Sequence, residues 1–153
     1  MRSILAAILI SSAVSATQAK AAQPLPPEVQ SSIDEAMKDC SGKVKFEKGF
    51  LTRRDINGDG IEDFILDYGH FACGATSNAY CGSAGCSTAV FASLSGGKFA
   101  KVLDENVRGI EFKTVSGRPA MLLELHGSAC GRVGSAPCNA TLYWNGEKFS
   151  PAN

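Results

Sequence analysis

A mainly β fold with one N-terminal helix follows from three observations. After Gly42 the chain alternates short β-branched and aromatic runs with glycine-bearing turns. Before it, apolar residues fall at helical spacing over a single stretch. Six cysteines, all beyond an apolar leader, add cross-links to the core. With 153 residues, 44% hydrophobic and 20% charged, the chain is sized for one globular domain. Its 15 Lys+Arg balance 15 Asp+Glu, and Arg53-Arg54 is the only adjacent basic pair. That argues against a nucleic-acid partner, which requires a concentrated basic face.

Residues 1–21 read as an export signal. Met1-Arg2 is a short basic start, Ile4 to Val14 is apolar, and Ala19-Lys20-Ala21 places small residues at both cleavage-determining positions. A membrane anchor would need about 20 apolar residues, and Ser11, Ser12, Ser15 and Gln18 interrupt the run. No later stretch is apolar for long enough to span. Cleavage would remove Arg2 and Lys20, leaving 13 basic against 15 acidic residues in a single domain, residues 22–153. A periplasmic or secreted protein, monomeric, is expected.

The helix is expected over residues 27–41. Pro26-Pro27 pre-sets the first turn, Glu28 suits the positive end of the helix dipole, and Val29, Ile33, Ala36, Met37 and Cys40 share one face. Ser41-Gly42 ends it. The opposite face carries Glu28, Asp34, Glu35 and Asp39, which does not suit a membrane surface.

Strands are expected at Phe46–Arg54, Asp63–Tyr68, Thr88–Leu94, Lys98–Leu103, Ile110–Val115, Ala120–His126, Ala140–Trp144 and Lys148–Ser150. Ser95-Gly96-Gly97 and Asn145-Gly146 are hairpin signals, because glycine and asparagine accept positive φ. An internal echo groups these strands. Ile65-Leu66-Asp67-Tyr68-Gly69-His70-Phe71-Ala72-Cys73 lines up with Leu122-Leu123-Glu124-Leu125-His126-Gly127-Ser128-Ala129-Cys130. Each then continues through a further cysteine, a strand and a glycine turn to Lys98-Phe99 or Lys148-Phe149. Two duplicated, blade-like four-stranded antiparallel meanders are therefore expected, over residues 44–104 and 108–151. Chance similarity of short β units is the alternative.

Cys40, Cys73, Cys81, Cys86, Cys130 and Cys138 suit three disulfides in an oxidising compartment. Six cysteines allow 15 connectivities, and sequence cannot choose among them. The preferred pairing is Cys130 with Cys138, which flank one Gly/Pro-bearing loop, then Cys81 with Cys86 and Cys40 with Cys73. Zinc is disfavoured because no Cys-x-x-Cys occurs.

One motif carries specific chemistry. Asp55-Ile56-Asn57-Gly58-Asp59-Gly60-Ile61-Glu62-Asp63 has the form D-x-N-x-D-G-x-x-D. Asp55, Asn57, Asp59 and Asp63 supply oxygen side chains at positions one, three, five and nine, the Ile61 carbonyl falls at seven, and glycine at six permits a sharp turn. Calcium takes six to eight hard oxygens in flexible geometry, whereas magnesium demands a tight octahedron. Three crowded aspartates also repel one another unless a cation neutralises them. The competing expectation is a metal-free Asn-Gly/Asp-Gly turn. Leu66 stands where an EF-hand has its bidentate Glu, and the flanks read as strands rather than helices.

This loop, with Phe64-Ile65-Leu66 behind it, resembles the calcium loop of FG-GAP and VCBS-type repeats. The wider layout, including Cys81-Gly82-Ser83-Ala84-Gly85-Cys86, looks like that of small secreted cysteine-rich proteins of α-proteobacteria. The resemblance implies a β-hairpin loop holding Ca²⁺ through Asp55, Asn57, Asp59, the Ile61 carbonyl and Asp63. The second unit has Ser116-Gly117-Arg118-Pro119 in place of the loop, with no carboxylate.

An exported calcium-binding structural or recognition module is the leading expectation, with an unidentified protein or glycan partner. His70 and His126 end the two echoed strands, but no hydrolase elbow, His-Glu-x-x-His or phosphate loop accompanies them, and no enzyme is expected. The alternative is a small secreted binder or inhibitor using loops 73–87 and 127–139, with Phe71, Tyr80 and Arg132 as candidate anchors, local loop packing being the competing role for each and the favoured one for the two aromatics.

Overall fold

The computed structural model describes residues 24–76 and 79–152, and the expected signal peptide lies outside the described residues. One helix, α1 (Pro27–Asp39), is followed by β1 (Val44–Phe46), β2 (Leu51–Arg54), β3 (Asp63–Asp67), β4 (Phe71–Cys73), β5 (Cys81–Gly82) and β6 (Gly85–Leu94). Then come β7 (Lys98–Val107), β8 (Gly109–Val115), β9 (Arg118–Leu125), β10 (Cys138–Trp144) and β11 (Phe149–Ser150). All pairings are antiparallel.

The first unit forms the order β2-β3-β6-β7, with β5 as a short extension beside β6, and the second forms β8-β9-β10-β11. The echoed segments thus occupy matching strands, β3 and β9, each followed by a short 3-10 turn. Between β3 and β6 the first unit inserts β4, which pairs with β1 outside both sheets.

Alternation along β3 and β6 sets the layers. Phe64, Leu66, Ala89 and Phe91 pack with Val29, Ile33 and Ala36 of α1, while Ile65 and Val90 on the opposite face pack with Phe112, Met121 and Leu123 of the second sheet. The first sheet is therefore the middle layer, between helix and second sheet. A sheet covered on both faces reads as a continuous apolar run; accordingly the first four residues of β3 are all buried.

The helix is fixed by more than apolar contact. The Tyr68 hydroxyl donates to the Ser32 carbonyl at 3.2 Å and the Tyr80 hydroxyl to the Ala36 carbonyl at 3.2 Å. The second bond satisfies one of the carbonyls left open at a helix C-terminus. Burial pushes the phenols of both Tyr68 and Tyr80 up.

Three disulfides join Cys40–Cys73, Cys81–Cys86 and Cys130–Cys138, the pairing preferred from the sequence. Three such cross-links suit an oxidising compartment. Among the described residues no helix is long and apolar enough to cross a membrane.

Several boundaries differ from expectation. The helix ends at Asp39, and Cys40 is an extended cap residue rather than part of the last turn. Phe46–Arg54 is not one strand, because Gly49 takes φ +107° and the chain turns there, with Phe50 N–H donating to the Glu47 carbonyl. The first unit runs on to Val107, and β7 carries one extra residue opposite Val90 and Phe91. Such a bulge bends the strand.

Candidate metal centre

The hairpin joining β2 to β3 closes at Arg54↔Asp63, leaving residues 55–62 as its loop. Gly58 and Gly60 adopt φ +83° and +82°, conformations costly for any residue with a side chain. They let the chain fold back so that side-chain oxygens accept neighbouring backbone N–H groups. Asp55 Oδ1 accepts from Gly58 at 2.6 Å and Oδ2 from Gly60 at 2.9 Å. Asn57 Oδ1 accepts from Asp59 at 3.0 Å, and Asp59 Oδ1 from Ile61 at 2.8 Å. Each of these oxygens keeps a further lone pair.

Asp63 plays a different part. Its side chain is fully buried at the base of the loop. Oδ2 accepts Ile56 N–H at 2.7 Å, and Oδ1 lies 2.7 Å from both the N–H and the hydroxyl of Ser93 on β6. Ile56 enters the core between the sheets, so the loop is pinned from beneath by one apolar side chain and one carboxylate. Asp63 is thus drawn inward, whereas Asp55, Asp59 and Ile61 are exposed.

Ser93 was not evident from the sequence. Its hydroxyl lies 2.7 Å from Asp63 Oδ1 and 2.8 Å from Asp59 Oδ2, yet it has one proton for the two carboxylates. The Asn57 amide adds a weaker contact to Asp59 Oδ2 at 3.3 Å and donates to the Ser93 carbonyl at 3.0 Å. The result is an oxygen-rich ridge running from the buried base to the exposed loop, in which every carboxylate oxygen accepts at least one hydrogen bond and the negative charge gathers at the exposed end. Such a set of carboxylate, amide and hydroxyl oxygens matches the preference of a hard cation. Among the described residues, no three His, Cys, Asp or Glu side chains form a metal-binding group. An ion here would therefore lean on amide, carbonyl and water oxygens as well as on the aspartates.

The histidines are each engaged locally. His126 Nδ1 lies 2.7 Å from Ser128 Oγ across two residues, and His70 Nε2 lies 3.8 Å from Asp67. Glycines approach both rings closely, Gly134 at His126 and Gly49 at His70.

One of the three expected partner anchors is corrected. Phe71 has 0% exposure and packs against the rings of Phe46, Phe50, Tyr68 and Tyr80, so it is core and offers no contact surface. Tyr80 is half-buried, and its hydroxyl is committed to the helix. Arg132 is exposed, with its guanidinium donating to the Pro137 carbonyl at 3.2 Å. One basic residue missed by sequence reasoning ties the two cysteine loops together: Arg108 Nη2 donates to the Ser83 carbonyl at 2.8 Å and the Gly134 carbonyl at 2.9 Å. Comparison with protein-family models, with curated proteins and with solved structures finds no match.

Proposed function

We propose that the chain is an exported, disulfide-stapled module that binds Ca²⁺ in the 55–63 loop and serves recognition or structure rather than catalysis. The carrying observation is the oxygen-rich ridge from Asp63 through Ser93 to Asp59, which holds two carboxylates around a single hydroxyl proton. A divalent ion relieves that crowding by supplying the positive charge that neutral hydrogen-bond donors do not. Asp55, Asn57, Asp59 and the Ile61 carbonyl would hold the ion, and Asp63 would act chiefly by fixing the loop on the sheet. The resemblance of the motif to FG-GAP and VCBS loops supports the same ion. Extracellular calcium modules bind at about 0.1–1 mM, so occupancy would report an extracellular or periplasmic calcium level. Titration calorimetry with Ca²⁺ tests this reading. A saturable heat in the wild type that disappears in Asp59→Ala is expected, and an unchanged heat in that variant contradicts the assignment.

A second reading has its own support in Arg108, which holds loops 73–87 and 127–139 against each other, with Val133 74% exposed beside them. Under it, this joint surface grips a protein partner. Val133→Asp should then abolish complex formation while leaving calcium binding intact.

A further inference from the structure

A second feature lies beside the acidic loop. A cleft of about 360 Å³ opens between that loop, the β6–β7 turn and the β10–β11 hairpin. Its walls include Asp59, Ile61 and Trp144, with Asn57 and Ser93 in the floor. Trp144 shares a face of β10 with Ala140 and Leu142, and all three pack on the core between the sheets. The indole therefore points towards the first unit, whose loops form the other side of the cleft. It rests on Phe149 at 5.1 Å between ring centroids and is only partly buried. The glycines at the rim add no cover: a Cβ at Gly96, Gly97 or Gly146 would meet nothing within 4 Å.

We propose that this cleft binds a neutral pyranose sugar. An aromatic face beside an exposed carboxylate is the pairing such a ligand needs. The indole and the Ile61 side chain cover the apolar C–H face of the ring, while the polar groups of Asn57, Asp59 and Ser95 in the lining face its hydroxyls. The volume sits near the lower end of small-molecule sites, roughly 300–1,000 Å³, which suits one sugar unit. Among the described residues lining the cleft the only ionisable side chain is Asp59, so without a bound ion uronic and sialic acids are repelled. The inference deepens the recognition reading and rests on it. It shares Asn57 and Asp59 with the ion loop but draws its stacking surface from the other sheet.

Trp144 is the only tryptophan in the chain, so its fluorescence reports on the cleft directly. The test titrates the protein with methyl glucoside, galactoside and mannoside, and with methyl glucuronide as the anionic probe, in chelator and in millimolar Ca²⁺. A saturable change with at least one neutral glycoside, and none with the glucuronide in chelator, is expected. Calorimetry on Trp144→Ala should then show at least a tenfold loss of sugar affinity with calcium binding retained. Ser95→Leu, at an exposed lining position outside the ion loop, should block the cleft in the same way and covers the case in which Trp144→Ala fails to fold. No saturable change with any neutral glycoside, or undiminished affinity in the folded variants, overturns the proposal. Calcium binding without sugar binding sinks the cleft alone, and sugar binding without any calcium response sinks the ion site alone.

Discussion

The two hairpins at corresponding places in the two β units, β2–β3 and β8–β9, are built from the same strand order but closed in opposite ways. In the first, residues 55–62 form a wide loop pinned by Ile56 and Asp63. In the second, Ser116 and Gly117 turn the chain in two residues, with φ +51° and +77°, the positive values of a primed hairpin turn. The cysteines differ in parallel. Cys130 and Cys138 pair within the second unit, whereas their first-unit counterparts reach elsewhere, Cys73 to Cys40 at the end of the helix and Cys86 to Cys81. The second unit is thus closed on itself, while the first spends the same positions on attaching a helix and presenting an acidic loop. Position in the fold explains this. The first sheet is the middle layer, so its strand ends are where helix, loop and second sheet all meet.

The largest single effect is expected at the cross-links. Closing the separation of 33 residues between Cys40 and Cys73 restricts the unfolded chain more than closing the 8 between Cys130 and Cys138. Loop entropy puts the two at about 3.8 and about 2.6 kcal/mol. Denaturant unfolding of the paired Cys→Ala variants should reproduce that order, and a larger loss in the second unit would mean the helix is held mainly by packing. Next comes the hairpin base. Asp63→Ala leaves the N–H groups of Ile56 and Ser93 without their buried acceptor and should cost about 3 kcal/mol. At the matching start of β9, Arg118 is exposed over the Tyr143 ring, and Arg118→Ala should cost about 1 kcal/mol or less. Equal losses at the two positions would erase the distinction between them.

The smallest effect is set by pH. Burial raises the Tyr68 phenol in the folded state above its unfolded value near 10. A raised phenol keeps its proton more tightly when folded, so its contribution is intact below about pH 10 and is lost as pH climbs beyond that. Melting curves should therefore fall at alkaline pH, and Tyr68→Phe should flatten part of the fall. An identical alkaline slope in that variant would place the sensitive group elsewhere.

Much of this was legible because local chemistry agreed with the tertiary outcome. Pro26-Pro27 and the spacing of Val29, Ile33 and Ala36 announced the helix, and the echoed cysteines announced the paired units. What was missed depended on contacts distant in sequence. Phe71 stood among glycine, histidine and cysteine, where local loop packing was the favoured role, and β4 carries it further, into the aromatic core. Gly49 broke an apparently continuous strand through its backbone conformation alone. Ser93 read as one polar residue in an apolar run, and only the pairing of β3 with β6 brings its hydroxyl to a carboxylate 30 residues away.

Thermal melting of the purified protein in chelator and in millimolar calcium, run beside a variant whose 55–62 loop is replaced by Ser-Gly, probes the ion site at its source. At tenfold excess over its dissociation constant the ion adds about 1.4 kcal/mol, or roughly 3–6 °C for a domain of this size. That rise should occur in the wild type and vanish in the loop-replaced chain. Identical melting of the wild type in chelator and in calcium would contradict the calcium assignment.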